Sequence, residues 1–436
     1  MSDSNTITNH SPRRIVLAVV VSTFFVGFGG GVIFPILPNL GEVLGISAAM
    51  VGLILAANRW TRLVANAPAG VLVDRIGTRT PFVVGLAIEG VATFGYVLAI
   101  YASRPDTALG AAVGFVSPNP EVWFLLARIL WGLGSALVFA TAYTITADVS
   151  EADSRGTSMG IVRAGITFGF PAGLVLGGVV SEVYGNSAAF ILAAGFAGLA
   201  SVIAFVVVPE THVEETDTSV KPWDLELTVP ALTVGFVNFG LYFAYVGVLF
   251  STLVIYLRVE SLTISTEILG YAVVFGEQGT SGMLMAITVL MGAIFTISGG
   301  VISDSVGARV PVLVFFLVLN CVGFVVLTLA GSFFAVVVGC ILIGAGQGGV
   351  GGPLTALLAD LTAEERMGRA MGTNNILGDV GGGLGPLISL PLAETIGFSI
   401  MYAISAGIAL LAGLILVVGV YAHTGSVSPT VEESVL

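Results

Sequence analysis

Long apolar runs separated by short polar clusters make up most of this chain. Segments 15–41, 183–209, 227–257, 278–303 and 310–359 contain no charged residue at all. Each exceeds the ~20 residues a helix needs to cross the hydrocarbon core of a bilayer. The last is long enough for two crossings, with a turn near Gly331-Ser332. Adding the runs that carry one or two charges predicts spans at 15–37, 47–72, 80–102, 121–145, 157–181, 187–208, 227–256, 279–302, 309–330, 333–358, 369–393 and 397–421. None shows the period-two alternation of a barrel strand, and a lone helix satisfies its own backbone in lipid. The pattern therefore predicts an all-α integral membrane protein of twelve transmembrane helices. The first span is too long, and lacks a cleavage site, for a removable signal peptide.

Composition agrees with this. The 436 residues are 56% hydrophobic and only 10% charged, against roughly 25% charged in a soluble domain. Of fifteen basic residues, Arg13, Arg14, Arg75, Arg79, Arg155, Lys221, Arg309, Arg366 and Arg369 lie on one side of the predicted topology. Arg104 and Arg258 fall on the other, and four arginines lie within spans. The positive-inside rule then predicts a multi-pass plasma-membrane protein with both termini cytoplasmic. Cys321 and Cys340 both sit in spans, so no extracellular disulfide framework is implied. The net charge is -12, and Lys221 is the only lysine. An acidic, lysine-poor surface suits a high-salt exterior, where its repulsion is screened.

The chain repeats itself. Gly-x-x-x-Asp-x-x-Gly-x-Arg occurs as Gly70, Asp74, Gly77, Arg79 and again, 230 residues on, as Gly300, Asp304, Gly307, Arg309. Asp148-Val-Ser-Glu-Ala-Asp-Ser-Arg155, with Gly160 beyond, is matched 212 residues on by Asp360-Leu-Thr-Ala-Glu-Glu-Arg366, with Gly372 beyond. The two offsets differ because the connection 103–120 has no equal-length partner in the second half. These repeats divide the chain into a tail 1–14, a six-helix half 15–208, a linker 209–226, a second half 227–421 and a tail 422–436. The linker, with six acids, one lysine and two prolines, reads as a flexible cytoplasmic connection. Paired units in an apolar chain are the hallmark of secondary transporters, whose substrate site lies between the repeats.

At these residues the chain resembles the major facilitator superfamily. Gly70-Val-Leu-Val-Asp74-Arg75-Ile-Gly77-Thr-Arg79 is similar to that family's signature loop between its second and third helices, and Arg128-Ile-Leu-Trp-Gly132-Leu-Gly134 to a motif of its fourth. Phe34-Pro35-Ile-Leu-Pro38 and Gly165-x-x-x-Gly169-x-Pro171 resemble the twelve-helix drug:proton antiporter branch. The chain departs from that branch where Phe170 separates Gly169 from Pro171, and where the first span lacks an acid. The resemblance implies two pseudo-symmetric six-helix bundles that alternate access to a small solute. It also implies a conformational lock at Gly70, Asp74, Arg75, Gly77 and Arg79. The second copy, with Asp304 and Arg309, carries Ser305 in place of Arg75, so its charge network is expected to be the weaker.

Charge inside a membrane is expensive and normally functional. Arg59 and Arg62 in the second span sit three apart and so share a helix face. Arg128 and Arg163 lie in the fourth and fifth spans; the intramembrane acids are Glu89 in the third and Asp379 in the eleventh. A carboxyl balanced between burial and a neighbouring arginine suits a proton carrier, and equally a buried neutralising ion pair. His10, His212 and His423 all fall in tails or linker, so coupling has to use Asp379 or Glu89. Asn238, Gln347, Asn374 and Asn375 are polar candidates for a cavity wall, with Phe239, Tyr242 and Tyr245 as aromatic neighbours. Gly165, Gly169, Gly173 and Gly177 form a stripe at i+4 spacing beside Pro171 that allows close helix packing or sliding.

Other classes are excluded or disfavoured. No Walker loop accompanies the single lysine, and no metal- or nucleophile-spaced cluster points to an enzyme, so no catalytic residue, cofactor or metal is expected. The acidic chain has no basic cluster for nucleic acid. The expected protein is a monomeric secondary transporter, with small solute, protons and bilayer as its partners and the proton motive force as its energy source. Proton-coupled efflux of an organic compound is the first reading. Uptake or exchange of an organic anion, prompted by four intramembrane arginines against two acids, is the second. A non-transporting sensor on the same fold is the third.

Overall fold

The computed structural model describes residues 12–151, 154–211, 225–268 and 271–429. His10, His212, Lys221 and the middle of the linker lie outside the described residues. In the first half the helices are α1 (Pro12–Val43), α2 (Ala48–Ile76), α3 (Arg79–Ala102), α4 (Ala108–Val116), α5 (Pro120–Val149), α6 (Arg155–Tyr184) and α7 (Asn186–Val207). The second half has α8 (Val229–Tyr242), a π-helical segment Phe243–Leu249, and α9 (Phe250–Val259). A hairpin, β1 (Ile264–Ile268) and β2 (Tyr271–Phe275), follows. It leads to α10 (Glu277–Val306), α11 (Arg309–Thr328), α12 (Phe333–Asp360), a 3₁₀ turn, α13 (Met367–Ile396) and α14 (Phe398–Thr424).

Among the described residues, eleven helices are long and apolar enough to cross a membrane, the α8–α9 run counting as one. The remaining predicted span, 47–72, is the 29-residue α2. It matches the others in length, but Asn58, Arg59, Arg62 and Asn66 give it a polar centre. Outward-facing side chains such as Val91, Phe168, Phe205 and Leu411 are apolar and exposed, as lipid contact requires. Two elements are absent from the sequence-based prediction. The connection 103–120 contains α4, nine residues capped by Thr107, whose hydroxyl accepts from the Gly110 amide at 3.0 Å. The segment after the seventh span contains the hairpin, a small departure from an all-helical chain.

Turn glycines repeat as the motifs do. Gly77 and Gly307 adopt φ of 82° and 70°, and Gly185 and Gly397 adopt 89° and 85°. The left-handed region carries a penalty for any side chain, which explains glycine at these positions. The pairs stand 230 and 212 residues apart, so the backbone itself is duplicated.

The chain forms two compact units. One comprises residues up to Ile36 with Trp60–Ser219; the other comprises Leu37–Arg59 with the residues from Val220 onward. Leu37–Arg59, the end of α1 and the first turns of α2, thus belongs with the second unit rather than with the half that contains it in sequence. In the first unit α3 lies between α5 and α7 over a core that includes Phe82, Leu86, Val138, Ile145 and Ala204. Here α6 runs tightly along α1. A Cβ at Gly169 or Gly173 would strike the carbonyl of Phe24 or Phe28, and one at Gly177 would come within 2.9 Å of the Val32 backbone. From the other side, Gly27 meets the backbone of Ile166 and Phe170. The stripe is a packing seam. Pro171 is buried in it without ending α6. In the second unit α12 packs on α10 and α11, and α13 on α8, over a core that includes Phe316, Leu317, Val350 and Leu416.

Candidate functional site

Each unit sets charge among its apolar helices. In the second unit α13 carries Gly378, Gly381, Gly382 and Gly385, which strip its surface and let neighbours approach. A Cβ at Gly381 would overlap the Phe239 carbonyl, one at Gly385 would overlap Gly247, and one at Gly382 would lie 3.2 Å from the Arg59 guanidinium. Asp379 sits among these glycines and forms an ion pair with Arg59 at 3.2 Å, the two side chains 17% and 18% exposed. The Arg59 guanidinium lies 5.9 Å from the centre of the Tyr242 ring. One turn before Tyr242, Asn238 donates to the backbone carbonyl of Asn374 at 3.1 Å. Asn374 Oδ1 and Gln347 Oε1 are buried with no hydrogen-bond partner among the described residues, whereas Asn375 is exposed.

The π-helical segment adjoins this cluster. Within it the Gly247 carbonyl accepts from Ser389 Oγ at 3.2 Å and from Ser251 Oγ. Such segments inside α-helices recur at functional sites.

In the first unit α3 and α5 run antiparallel, with Gly85 against Gly134 and Gly95 against Ala127. Glu89, 1% exposed, lies in this seam against Gly134. Neither carboxyl oxygen has a hydrogen-bond partner among the described residues, and the Arg62 charge acts on it from α2. Two turns along α3, Tyr96 Oη accepts from Arg128 Nη1 at 3.5 Å. Arg128 is 2% exposed, the largest side chain so deeply buried, and its guanidinium faces the Trp131 ring at 5.7 Å. The Arg62 guanidinium lies 5.7 Å from the centre of the Phe139 ring. Arg59 and Arg62, predicted to share one face, thus serve separate clusters in separate units. Arg163 is exposed on α6.

The repeated loops also differ from expectation. At the first copy, Glu210 Oε1 accepts from the amides of Thr78 at 2.6 Å and Arg79 at 3.1 Å, capping α3. Arg79 donates to the Phe205 carbonyl at 2.6 Å and lies over that ring. Asp74 and Arg75 are exposed and form no hydrogen bond or ion pair among the described residues; Gly70 faces open space. At the second copy, Arg309 pairs with Asp304 and, at 3.0 Å, with Asp360 of the other repeated loop. The network expected to be weaker is the one built from ion pairs. Tyr96, Glu210 and Asp360 are partners that motif spacing does not predict. Only Asp360 carried a signal, because it opens a repeated loop.

Comparison with known proteins agrees with this architecture. The family model of the Major Facilitator Superfamily matches residues 19–277 and 268–434. The chain belongs to that family, and it is a multi-pass membrane transporter of a small molecule, not an enzyme. It is 25% identical over 412 residues, 92% of this chain and 97% of the relative, to an uncharacterized MFS-type transporter of Methanocaldococcus jannaschii. It is 27% identical over 210 residues to Multidrug resistance protein 1 of Bacillus subtilis, and 25% over 195 residues to Quinolone resistance protein NorA of Staphylococcus aureus. The alignments span 49% and 44% of those two relatives, about half their length. The crystal structure of the nucleoside transporter NupG shares the fold, with TM-score 0.74 at 13% identity over 93% of this chain and 99% of the other.

Proposed function

We propose that this transporter exports an organic compound in exchange for protons. The observation that carries the reading is that each unit sets an acid within apolar helices under the influence of an arginine, Asp379 paired with Arg59 and Glu89 in the field of Arg62. Buried ionisable pairs in membrane proteins mark ion and substrate pathways. The aromatic walls beside the arginines, Tyr242 and Phe139, suit a flat organic ring. Export, as opposed to uptake, is supported by the two drug-resistance relatives.

Reconstitution in liposomes tests this. A counter-directed pH gradient is expected to drive accumulation of norfloxacin or ethidium, and an uncoupler to abolish it. Asp379→Asn is expected to reduce the initial rate at least about tenfold, ~1.4 kcal/mol of barrier. Transport indifferent to the gradient would overturn the proton coupling, and flux of benzoate that Arg62→Ala removes would instead support the organic-anion carrier.

A further inference from the structure

The two intramembrane acids are in opposite electrostatic situations. Asp379 touches the Arg59 guanidinium at 3.2 Å and is partly exposed, which satisfies it as a carboxylate. Glu89 is 1% exposed and accepts no hydrogen bond at either oxygen from any described residue. The seam around it is tight: a Cβ on Gly134 would come 2.9 Å from Glu89 Cγ and 2.8 Å from the Gly85 carbonyl. A carboxylate buried without donors costs several kcal/mol, whereas a neutral carboxylic acid costs far less.

We propose that Glu89 is the site that carries the transported proton, held as a neutral acid in the conformation seen here, and that the Arg59–Asp379 pair has another task. This assignment rests on the proton-coupled reading above. The charged and titratable neighbours are few. Arg62 approaches from α2, Tyr96 lies on α3 itself, and Arg128 comes from α5. Helices α4 and α7, which also pack on α3, contribute no charged or titratable residue. Release breaks the carboxyl O–H bond, the electron pair stays on the carboxylate, and the proton passes to water. The carboxylate then takes Arg62 as its ion partner. Binding reverses each step. Tyr96, between the fields of Glu89 and Arg128, holds Arg128 in place through the exchange.

Infrared spectroscopy of the full-length protein at neutral pH, in water and in heavy water, tests this without any substrate. The carbonyl stretch of a buried neutral carboxyl is expected in the wild type and in Asp379→Asn, and is expected to vanish in Glu89→Gln. A wild type without the band, or a band that survives Glu89→Gln, overturns the assignment. If Glu89→Gln does not fold, Glu89→Asp replaces it: a displaced band supports the assignment and an unmoved one refutes it. Gradient-driven norfloxacin accumulation is the second arm, expected in the wild type and absent in Glu89→Gln. Retention of gradient-driven accumulation in Glu89→Gln overturns the assignment. A wild type that shows the band but no gradient-driven flux leaves Glu89 as a proton site and removes the antiport reading.

Discussion

The two copies of the Gly-x-x-x-Asp-x-x-Gly-x-Arg loop share a backbone and little else. Both close on a left-handed glycine, Gly77 or Gly307, and both deliver an arginine to the first turn of the next helix. From there they diverge. The first binds the start of α3 through Glu210, an acid at the edge of the linker, with Arg79 donating to a backbone carbonyl. The second gathers Asp304, Arg309 and Asp360 into a three-member ion cluster. The motif dictates a turn, and local partners decide whether that turn becomes a capped helix or a salt-bridge hub. Exposed ion pairs are worth little, so the cluster depends chiefly on Asp360, whose side chain is 17% exposed against 73% for Asp304.

Substitutions break this comparison in a defined order. Gly77→Ala is expected to have the largest effect, about 2–3 kcal/mol, because left-handed strain of about 1–2 kcal/mol adds to expulsion of the Glu210 cap. Gly307→Ala meets open space and incurs the strain alone. In a Glu210→Ala background the two alanines are expected to cost the same, and chemical unfolding in micelles of the wild type, the three single variants and the two doubles tests that. Arg309→Ala comes next. It is expected to cost about 2 kcal/mol against about 1 kcal/mol for Arg79→Ala, since one loses hydrogen-bonded carboxylates and the other a bond to a neutral carbonyl. Equal melting temperatures for those two variants contradict the proposed asymmetry. Glu210→Ala shares the low end of the series with Arg79→Ala, about 1 kcal/mol as for the loss of other helix caps. Its signature is faster amide exchange at Thr78 and Arg79 with none at Arg309.

Much of this was legible in the chain. Apolar runs fixed the long helices because lipid leaves the backbone no alternative, and even the polar α2 held its predicted place between its neighbours. The 9-residue α4 and the hairpin escaped because neither is long enough to cross a bilayer. Arg59, Arg62, Glu89, Arg128 and Asp379 stood out as charges in apolar surroundings, and the structure gives each a buried or half-buried setting. What the chain could not show was pairing. Arg59 meets Asp379 across 320 positions and Arg128 meets Tyr96 across 32, and spacing carries no information about either. Glu210 was hidden for the opposite reason, as one acid among six in the linker.

The π-helical turn at Phe243–Leu249 changes how the seventh span must be read. One extra residue in a turn advances everything after it by about 100° around the helix axis. Asn238 and Tyr242 before the turn therefore keep a different azimuth from Thr252 and Tyr256 beyond it, although an unbroken helical wheel would align them. That phase slip lets one helix turn an aromatic ring to Arg59 at one level and hydroxyls toward Tyr402 and the Ala330 carbonyl at another. Deleting a single residue there would leave a perfectly regular helix aimed the wrong way.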